Sequence, residues 1–263
     1  MSTIPAVGPG RLRVLTYNVH KGYCRANRRF VLEAMRRLIA ATGADLVFLQ
    51  EIHGRKEPER GSRAQFPDQP HFQYIADSLW PHVAYGRNAI YREGDHGNAI
   101  LSKYPLLRWE NINVARFPRS SRSILHALVE LPGSPKPLHV LCVHLGLLES
   151  ERRGQIAVLS QRIANHVPSD EPLVLAGDFN DWRGRAERYL HRRLGVAELF
   201  AVLEGRHARS YPIWLPLLAM DRMYYRGLDP LSGTVLAGGE WRQLSDHAGL
   251  LGEFRLPAGA ATG

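Results

Sequence analysis

Hydrophobic and polar positions along the chain follow two rhythms, a period near two and a period near 3.6, in stretches separated by proline, glycine and charge. Leu12 to Val19 alternates and carries β-branched and aromatic residues, which predicts a strand. Phe30, Val31, Ala34, Leu38 and Ile39 share one face of a helix over Arg29 to Ala41, with Gly43 as its stop. A second buried strand over Ala44 to Leu49 closes on Gln50 and Glu51. The polar, proline-broken run Arg55 to Gln69 reads as a surface loop, Phe72 to Trp80 as a short helix, and His82 to Tyr91 and Gly97 to Ser102 as strands. Leu106 to Ala115 and Ser123 to Leu131 alternate as a strand pair, and Leu138 to Val143 is a strand that delivers His144. Ile156, Leu159, Ile163 and Val167 set a helix over Glu149 to His166, with acids in its first turn. Leu173 to Ala176 is a short buried strand, Arg185 to Leu194 a helix stopped by Gly195, and Asp221 opens another strand. The apolar segment Tyr211 to Met220, twice interrupted by proline, is read first as core-facing, with contact of Trp214 and its leucines with a bilayer edge as the alternative.

Four of the apolar runs end in a polar residue able to do chemistry: Asn18, Glu51, His144 and Asp178. Gly177 lets the backbone turn at the end of its strand, and Asp178 and Asn180, one residue apart beyond it, face one small volume. A carboxylate there can hold a metal or take a proton from water, and a carboxamide can donate to a phosphoryl oxygen without adding charge. The same Gly-Asp-Phe-Asn stretch also fits an Asx-type turn. A glutamate closing an apolar strand is costly unless solvated, paired or metal-bound, which makes Glu51 a metal-ligand candidate. Asp221 and the adjacent Asp246 and His247 extend the set. In layered α/β folds such strand ends converge on one sheet edge, where sites are built.

With 263 residues, 44% of them hydrophobic, the chain can bury a large core, and no linker divides it. One domain is expected over 11–256, with frayed ends at 1–10 and 257–263. The start lacks a basic segment followed by an apolar one, and no apolar run approaches the roughly 20 residues of a spanning helix. The two cysteines, Cys24 and Cys142, lack metal-site spacing. The expectation is a reduced, cytoplasmic monomer. Net charge is +9, which favours polyanionic partners, nucleic acid or an anionic lipid surface. All but Lys21, Lys56, Lys103 and Lys136 of the 34 basic residues are arginine, a skew that GC-rich codon usage alone can produce. The loop Arg116 to Arg122 mixes guanidinium groups with Phe117, so Arg119 and Arg122 are phosphate-contacting candidates. Trp182, just past the Asp178 turn, is placed to stack on substrate, and Asn98 is a polar side chain at the mouth of an apolar strand.

Seven segments occur in order between about Arg11 and Leu251: Thr-Tyr-Asn-Val-His, Leu-Gln-Glu, Gly-Asn-Ala-Ile-Leu-Ser-Lys-Tyr-Pro, Val-His-Leu-Gly, Ala-Gly-Asp-Phe-Asn-Asp, Asp-Arg-Met-Tyr and Ser-Asp-His. Together they resemble the endonuclease/exonuclease/phosphatase superfamily, and the third is similar to small bacterial members and the sphingomyelinase-like branch. The resemblance implies an α/β fold, a four-layer α/β/β/α sandwich of two mixed β-sheets flanked by helices. It implies a divalent ion, Mg²⁺ with Mn²⁺ as a substitute, and oxygen-rich ligands without cysteine independently favour a hard cation. Carried over residue by residue, Glu51 matches the principal metal ligand, Asn18 the amide beside it and Asp246 an acid near the metal. Asp178 matches the group that orients or deprotonates the attacking water, Asn180 a donor to phosphate or water, and His144 a donor to phosphate or leaving group. His247, oriented by Asp221, matches the histidine on the scissile phosphate. Tyr91, Glu93, Asp95 and His96 fall where some members set a group against the leaving oxygen, and they read as a solvated hairpin. The expected function is hydrolysis of a phosphodiester, first of nucleic acid; a lipid head-group or small-molecule phosphodiesterase or phosphatase is the alternative. A non-catalytic binding module on the same scaffold is a third class.

Overall fold

The computed structural model describes residues 10–24, 30–56, 67–91, 94–115 and 122–256 of the chain. Arg119, Glu93, most of the 55–69 loop and the termini expected to fray lie outside these residues, Gly10 excepted. In chain order the elements are β1 (Arg11–Asn18), α1 (Leu32–Ala41), β2 (Leu46–Lys56), α2 (His71–Ala76), β3 (His82–Tyr91), β4 (Gly94–Ser102), β5 (Leu106–Asn113), β6 (Ser123–Val129) and β7 (Leu138–His144). There follow α3 (Glu149–His166), β8 (Leu173–Asp178), α4 (Arg185–Leu194), β9 (Ala197–Glu198), α5 (Leu199–Glu204), β10 (Asp221–Arg226), β11 (Asp229–Leu236) and β12 (Gly249–Arg255). Two six-stranded sheets result, ordered β11-β12-β1-β2-β4-β3 and β5-β6-β7-β8-β10-β9. Both are mixed, because β1 and β2, and β7 and β8, run parallel within otherwise antiparallel ladders.

The central strands are buried on both faces, and their side-chain alternation assigns each face a partner. On β1, Leu12 and Val14 meet the other sheet while Leu15 and Tyr17 meet the helices; on β8, Val174 and Ala176 point inward and Leu173 and Leu175 outward. Between the sheets Phe48 and Ile100 pack with Leu125, Val140 and Met223. Leu32, Met35 and Ile39 of α1 and Ile75 of α2 cover one outer face, and Ile156, Leu159 and Ile163 of α3 and Leu190 of α4 cover the other. Each fully buried aliphatic side chain contributes about 1.5–3 kcal/mol, so the four-layer sandwich follows from where these residues fall.

The same parity positions the chemistry. Continued to the strand ends, the inward-facing rows reach Asn18 on β1, His144 on β7 after Val140 and Cys142, Asp178 on β8, and Asp221 on β10 ahead of Met223. Register aligns them: His144 pairs with Asp178 across the parallel β7 and β8, and Asp221 pairs with Asp178 across the antiparallel β8 and β10. All four therefore project into the gap between the sheets, at one edge. Gln50 closes that gap from below, its Nε2 donating to Thr16 Oγ1 at 3.2 Å and Cys142 Sγ at 3.2 Å.

Several boundaries differ from the sequence reading. The strand carrying Glu51 does not end there; β2 runs on to Lys56 through a register shift between Leu49 and Ile52, with Glu51 at φ 56°. Val47, Leu49 and Ile52 all join the helix-facing cluster, a spacing that strict alternation forbids and a bulge permits. The bulge frees Glu51 from that packed face and leaves it half-buried. The helix expected to run to Trp80 stops at Ala76, and Trp80 is instead buried, its Nε1 donating to Ala44 O. His96, read as part of a solvated hairpin, is buried and stacked on Tyr91. The core-facing reading of Tyr211 to Met220 holds for Ile213 and Met220 but fails for Trp214, Leu215 and Leu217, which are exposed.

Candidate active site

Asp178 is the centre of the arrangement. Its Oδ2 lies 3.2 Å from Asn18 Nδ2, 3.4 Å from His144 Nε2 and 3.9 Å from His247 Nε2, while its Oδ1 accepts the Asn180 backbone N–H at 2.9 Å. Gly177 makes this approach possible: its φ is 146°, and a Cβ would sit 2.0 Å from Val143 O on the neighbouring strand. Asn180, at φ 51°, turns its Nδ2 onto Leu145 O at 2.9 Å and so ties the turn after β8 to the one after β7. The Asx-type turn is thus formed, and it holds the Asp178 carboxylate among these groups.

His247 Nδ1 meets Asp221 Oδ2 at 2.8 Å, which directs its Nε2 toward Asp178. The sequence reading missed Ser210. This fully buried serine donates to the same Asp221 oxygen at 2.5 Å and accepts the Asp221 N–H at 3.2 Å, fixing the carboxylate that orients the histidine. Only its polarity before an apolar run could have flagged it. Ser245 is a second omission: its hydroxyl donates to Asn18 O at 2.7 Å and accepts the His247 N–H at 3.3 Å, joining β1 to the Asp246–His247 turn.

Burial and charge set the proton positions. Burial, opposed by the His247 charge, raises Asp178 above the usual carboxylate range. Burial would lower His247, but Asp221 and Asp178 outweigh it and push the imidazole up to about 10. Burial, reinforced by Arg122, drives His144 well below the ordinary histidine value, so it is neutral. The site therefore holds one imidazolium, at His247, beside a neutral imidazole. Asp246 is lowered despite its burial, because His20 Nδ1 bonds it at 3.2 Å and His247 is near.

The remaining candidates divide. Asn18 Oδ1 accepts the His20 N–H at 3.1 Å. Asn98 is wholly buried, its Nδ2 donating to Ser123 O at 3.1 Å; it faces the gap between the sheets, and Ser123 pairs with His144. Arg122 donates to Leu145 O at 3.0 Å, next to His144. Trp182 is exposed, with the Arg152 guanidinium 5.2 Å from its ring centre. Glu51 stands one residue beyond Gln50, which pairs with Asn18, but outside the tight Asp178 group. Among the described residues, Asp178, Asp221 and His247 form the group of three whose ligand atoms lie within 4.8 Å of one another. A cavity of about 940 Å³ around His139, Glu171 and Arg226 opens at the opposite strand ends and shares none of these residues.

The model of the Endonuclease/Exonuclease/phosphatase family matches residues 15–247. The chain belongs to this family. Every residue placed in the pocket above falls within the matched span. The Escherichia coli K12 protein YbhP is 43% identical over 244 residues, covering 93% of this chain and 96% of that one. Among solved structures, an endonuclease/exonuclease/phosphatase from Beutenbergia cavernae aligns with TM-score 0.74 at 21% identity, over 94% of this chain and 72% of that one. D. rerio TDP2 complexed with a single-strand DNA product aligns at 0.70 and 20% identity, over 93% and 98%. The human Nocturnin catalytic domain with bound sulfate aligns at 0.69 and 19% identity, over 93% of each. At such identities these structures share the fold, and the family sandwich of two mixed sheets is the one described above.

Proposed function

We propose that the protein is a divalent-metal-dependent phosphoesterase that hydrolyses a phosphodiester by in-line attack of water. The observation that carries this reading is the gathering of Asn18, His144 and His247 within 3.9 Å of Asp178 Oδ2, with Asp221 holding His247 at 2.8 Å, from five separate segments. Asp178 holds the attacking water and takes its proton as the new P–O bond forms. His247, kept as the imidazolium by Asp221, donates through Nε2 to a phosphoryl oxygen as charge develops there. Neutral His144 supplies a second hydrogen-bond donor, and the proton of His247 passes to the departing oxygen when the other P–O bond breaks.

The donor set fits a hard cation: carboxylates and a carboxamide, with no thiolate. Glu51 suits the ion best, since the bulge leaves its carboxylate half-buried and without a hydrogen bond among the described residues. Asn18 and Asp246 would complete that side. The Asp178, Asp221 and His247 trio is closer-knit, but it already holds a proton and a 2.8 Å hydrogen bond that an ion would have to displace. A bound Mg²⁺ or Mn²⁺ would neutralise phosphoryl charge.

Nucleic acid as the substrate draws support from the +9 charge, from Arg122 and Trp182 beside the pocket, and from the DNA product that D. rerio TDP2 holds on this fold. A lipid head-group diester is favoured by a different observation, the exposed Trp214, Leu215 and Leu217 near His247. A metal-supplemented screen over plasmid, abasic and single-stranded DNA, RNA and phospholipids separates them. Turnover of none of these, nor of bis-p-nitrophenyl phosphate, would end the hydrolase reading.

A further inference from the structure

The segment leading into β10 forms a hairpin closed by the bridge between Tyr211 and Leu218. Its base is fastened to the pocket. Ser210 bonds Asp221, Ile213 N donates to Asp246 O at 2.8 Å, Ala248 N donates to Ser210 O at 2.8 Å, and the Tyr211 ring lies 4.9 Å from that of His247. Its tip does the opposite: Trp214, Leu215 and Leu217 are 51%, 49% and 57% exposed.

Topology places further apolar side chains at the same edge. The turns after β7 and β8 leave the sheet where β10 enters, and they expose Leu147, Leu148 and Trp182. In the other sheet, β4 runs antiparallel to β2 and β3 antiparallel to β4, so the end of β3, with exposed Ile90 and Tyr91, joins this edge too. The two edges coincide, because Asn18 at the end of β1 bonds Asp178 at the end of β8. Exposed apolar side chains gathered at one edge in this way mark an interaction surface.

Chemistry selects the occupant. Bases stack on aromatic faces, and the four leucines and Ile90, five of the eight rim residues, present none. Exposed arginines accompany the tryptophans: Arg183 follows Trp182, and Arg242 Nη2 donates to Trp214 O at 3.0 Å, with Arg209 at the hairpin base. Aliphatic side chains flanked by tryptophan and arginine on a chain of net charge +9 match the boundary between acyl chains and anionic head groups. We propose that this rim docks on the surface of an anionic phospholipid bilayer, so that the catalytic pocket opens at the lipid–water boundary. The consequence for catalysis rests on the phosphoesterase reading; the docking itself does not.

The test is co-sedimentation of the full chain with phosphatidylcholine vesicles, with and without phosphatidylglycerol. Wild type should pellet with the anionic vesicles, less as salt rises, and the triple variant Trp214→Ser, Leu215→Ser, Leu217→Ser should lose at least about tenfold in partition. Trp109→Ala, an exposed tryptophan on β5, should pellet as wild type does. An unchanged urea midpoint for the triple variant shows that its fold is intact. Equal pelleting with and without phosphatidylglycerol, or a triple variant that pellets like wild type, overturns the proposal. So does a triple variant that loses only single-stranded DNA affinity, or that turns a dimer into a monomer. Turnover of soluble bis-p-nitrophenyl phosphate by wild type tests the phosphoesterase reading separately, so either can fail while the other stands.

Discussion

Replacing Asp221 by Asn should move the alkaline limb of the pH–rate profile. In the native site burial is the largest single influence on His247 and lowers it; the Asp221 charge, the Asp178 charge and the Asp221 hydrogen bond overcome it and bring the imidazole to about 10 from an ordinary 6.5. Two of those opposing contributions belong to Asp221, and the Asp246 charge adds a smaller one. Without them burial faces mainly Asp178, whose oxygen is 3.9 Å away rather than 2.8 Å. The raised value should fall by about two to three pH units, equivalent to about 3–4 kcal/mol of lost preference for the imidazolium. Asn keeps the shape of Asp and can still accept from Nδ1–H and Ser210, so the tautomer survives and the charge alone is removed. The sign follows: a raised value means that activity needing the imidazolium persists up to about pH 10 and fades above it, and the variant should lose it near neutrality. At pH 9 this is a fall in kcat of about ten- to a hundredfold. The assay is kcat against pH on bis-p-nitrophenyl phosphate with saturating Mg²⁺, paired with NMR titration of the His247 ring. An alkaline limb in the wild-type position, with kcat within about threefold, would refute the assignment of His247 as the protonated donor.

Three further outcomes follow from other parts of the structure. Ser210→Ala should lower kcat about tenfold with KM little changed, the worth of one hydrogen bond to a buried carboxylate, and Ser210→Thr should recover most of it; equal rates for all three would show that the hydroxyl does not position Asp221. Gly177→Ala should cost several kcal/mol in urea unfolding, because a Cβ would meet Val143 O at 2.0 Å from a backbone that disfavours side chains; a loss below about 0.5 kcal/mol would contradict the close approach of β7 and β8. Buried His126 is lowered from 6.5 to about 3, by burial and then by His139 and Arg162. The unfolded chain therefore takes up this proton first, and the stability from keeping it neutral is whole above pH 6.5 and erodes from there toward about 3, by up to about 1.4 kcal/mol per pH unit. His126→Gln should flatten urea midpoints over that window, and parallel curves would contradict the prediction.

Much of the site was legible because strand parity is written in the sequence. Asn18, His144, Asp178 and Asp221 each continue an inward-facing apolar row, so a reader who locates the strands also locates the polar residues at their mouths. What was not legible depends on contacts between distant segments. Glu51 looked like a strand end because nothing local announces a bulge with φ 56°; Ile52 rejoining the helix-facing cluster is the consequence. Ser210 and Ser245 gain their roles only when the chain closes on Asp221 and Asn18. The exposed hairpin tip misled in the other direction: apolar composition predicts burial on average, and Trp214, Leu215 and Leu217 defy the average because their neighbours are pinned to the pocket while they are not.

The central claim is that Asp178 holds the attacking water in a pocket completed by a divalent ion. Hydrolysis of bis-p-nitrophenyl phosphate, followed with chelated enzyme, with added Mg²⁺ or Mn²⁺, and with the Asp178→Asn variant, tests it most directly. Turnover that appears only with the ion and falls at least about a thousandfold in Asp178→Asn is the predicted result. Metal-independent turnover, or an Asp178→Asn enzyme that keeps its rate, would contradict it.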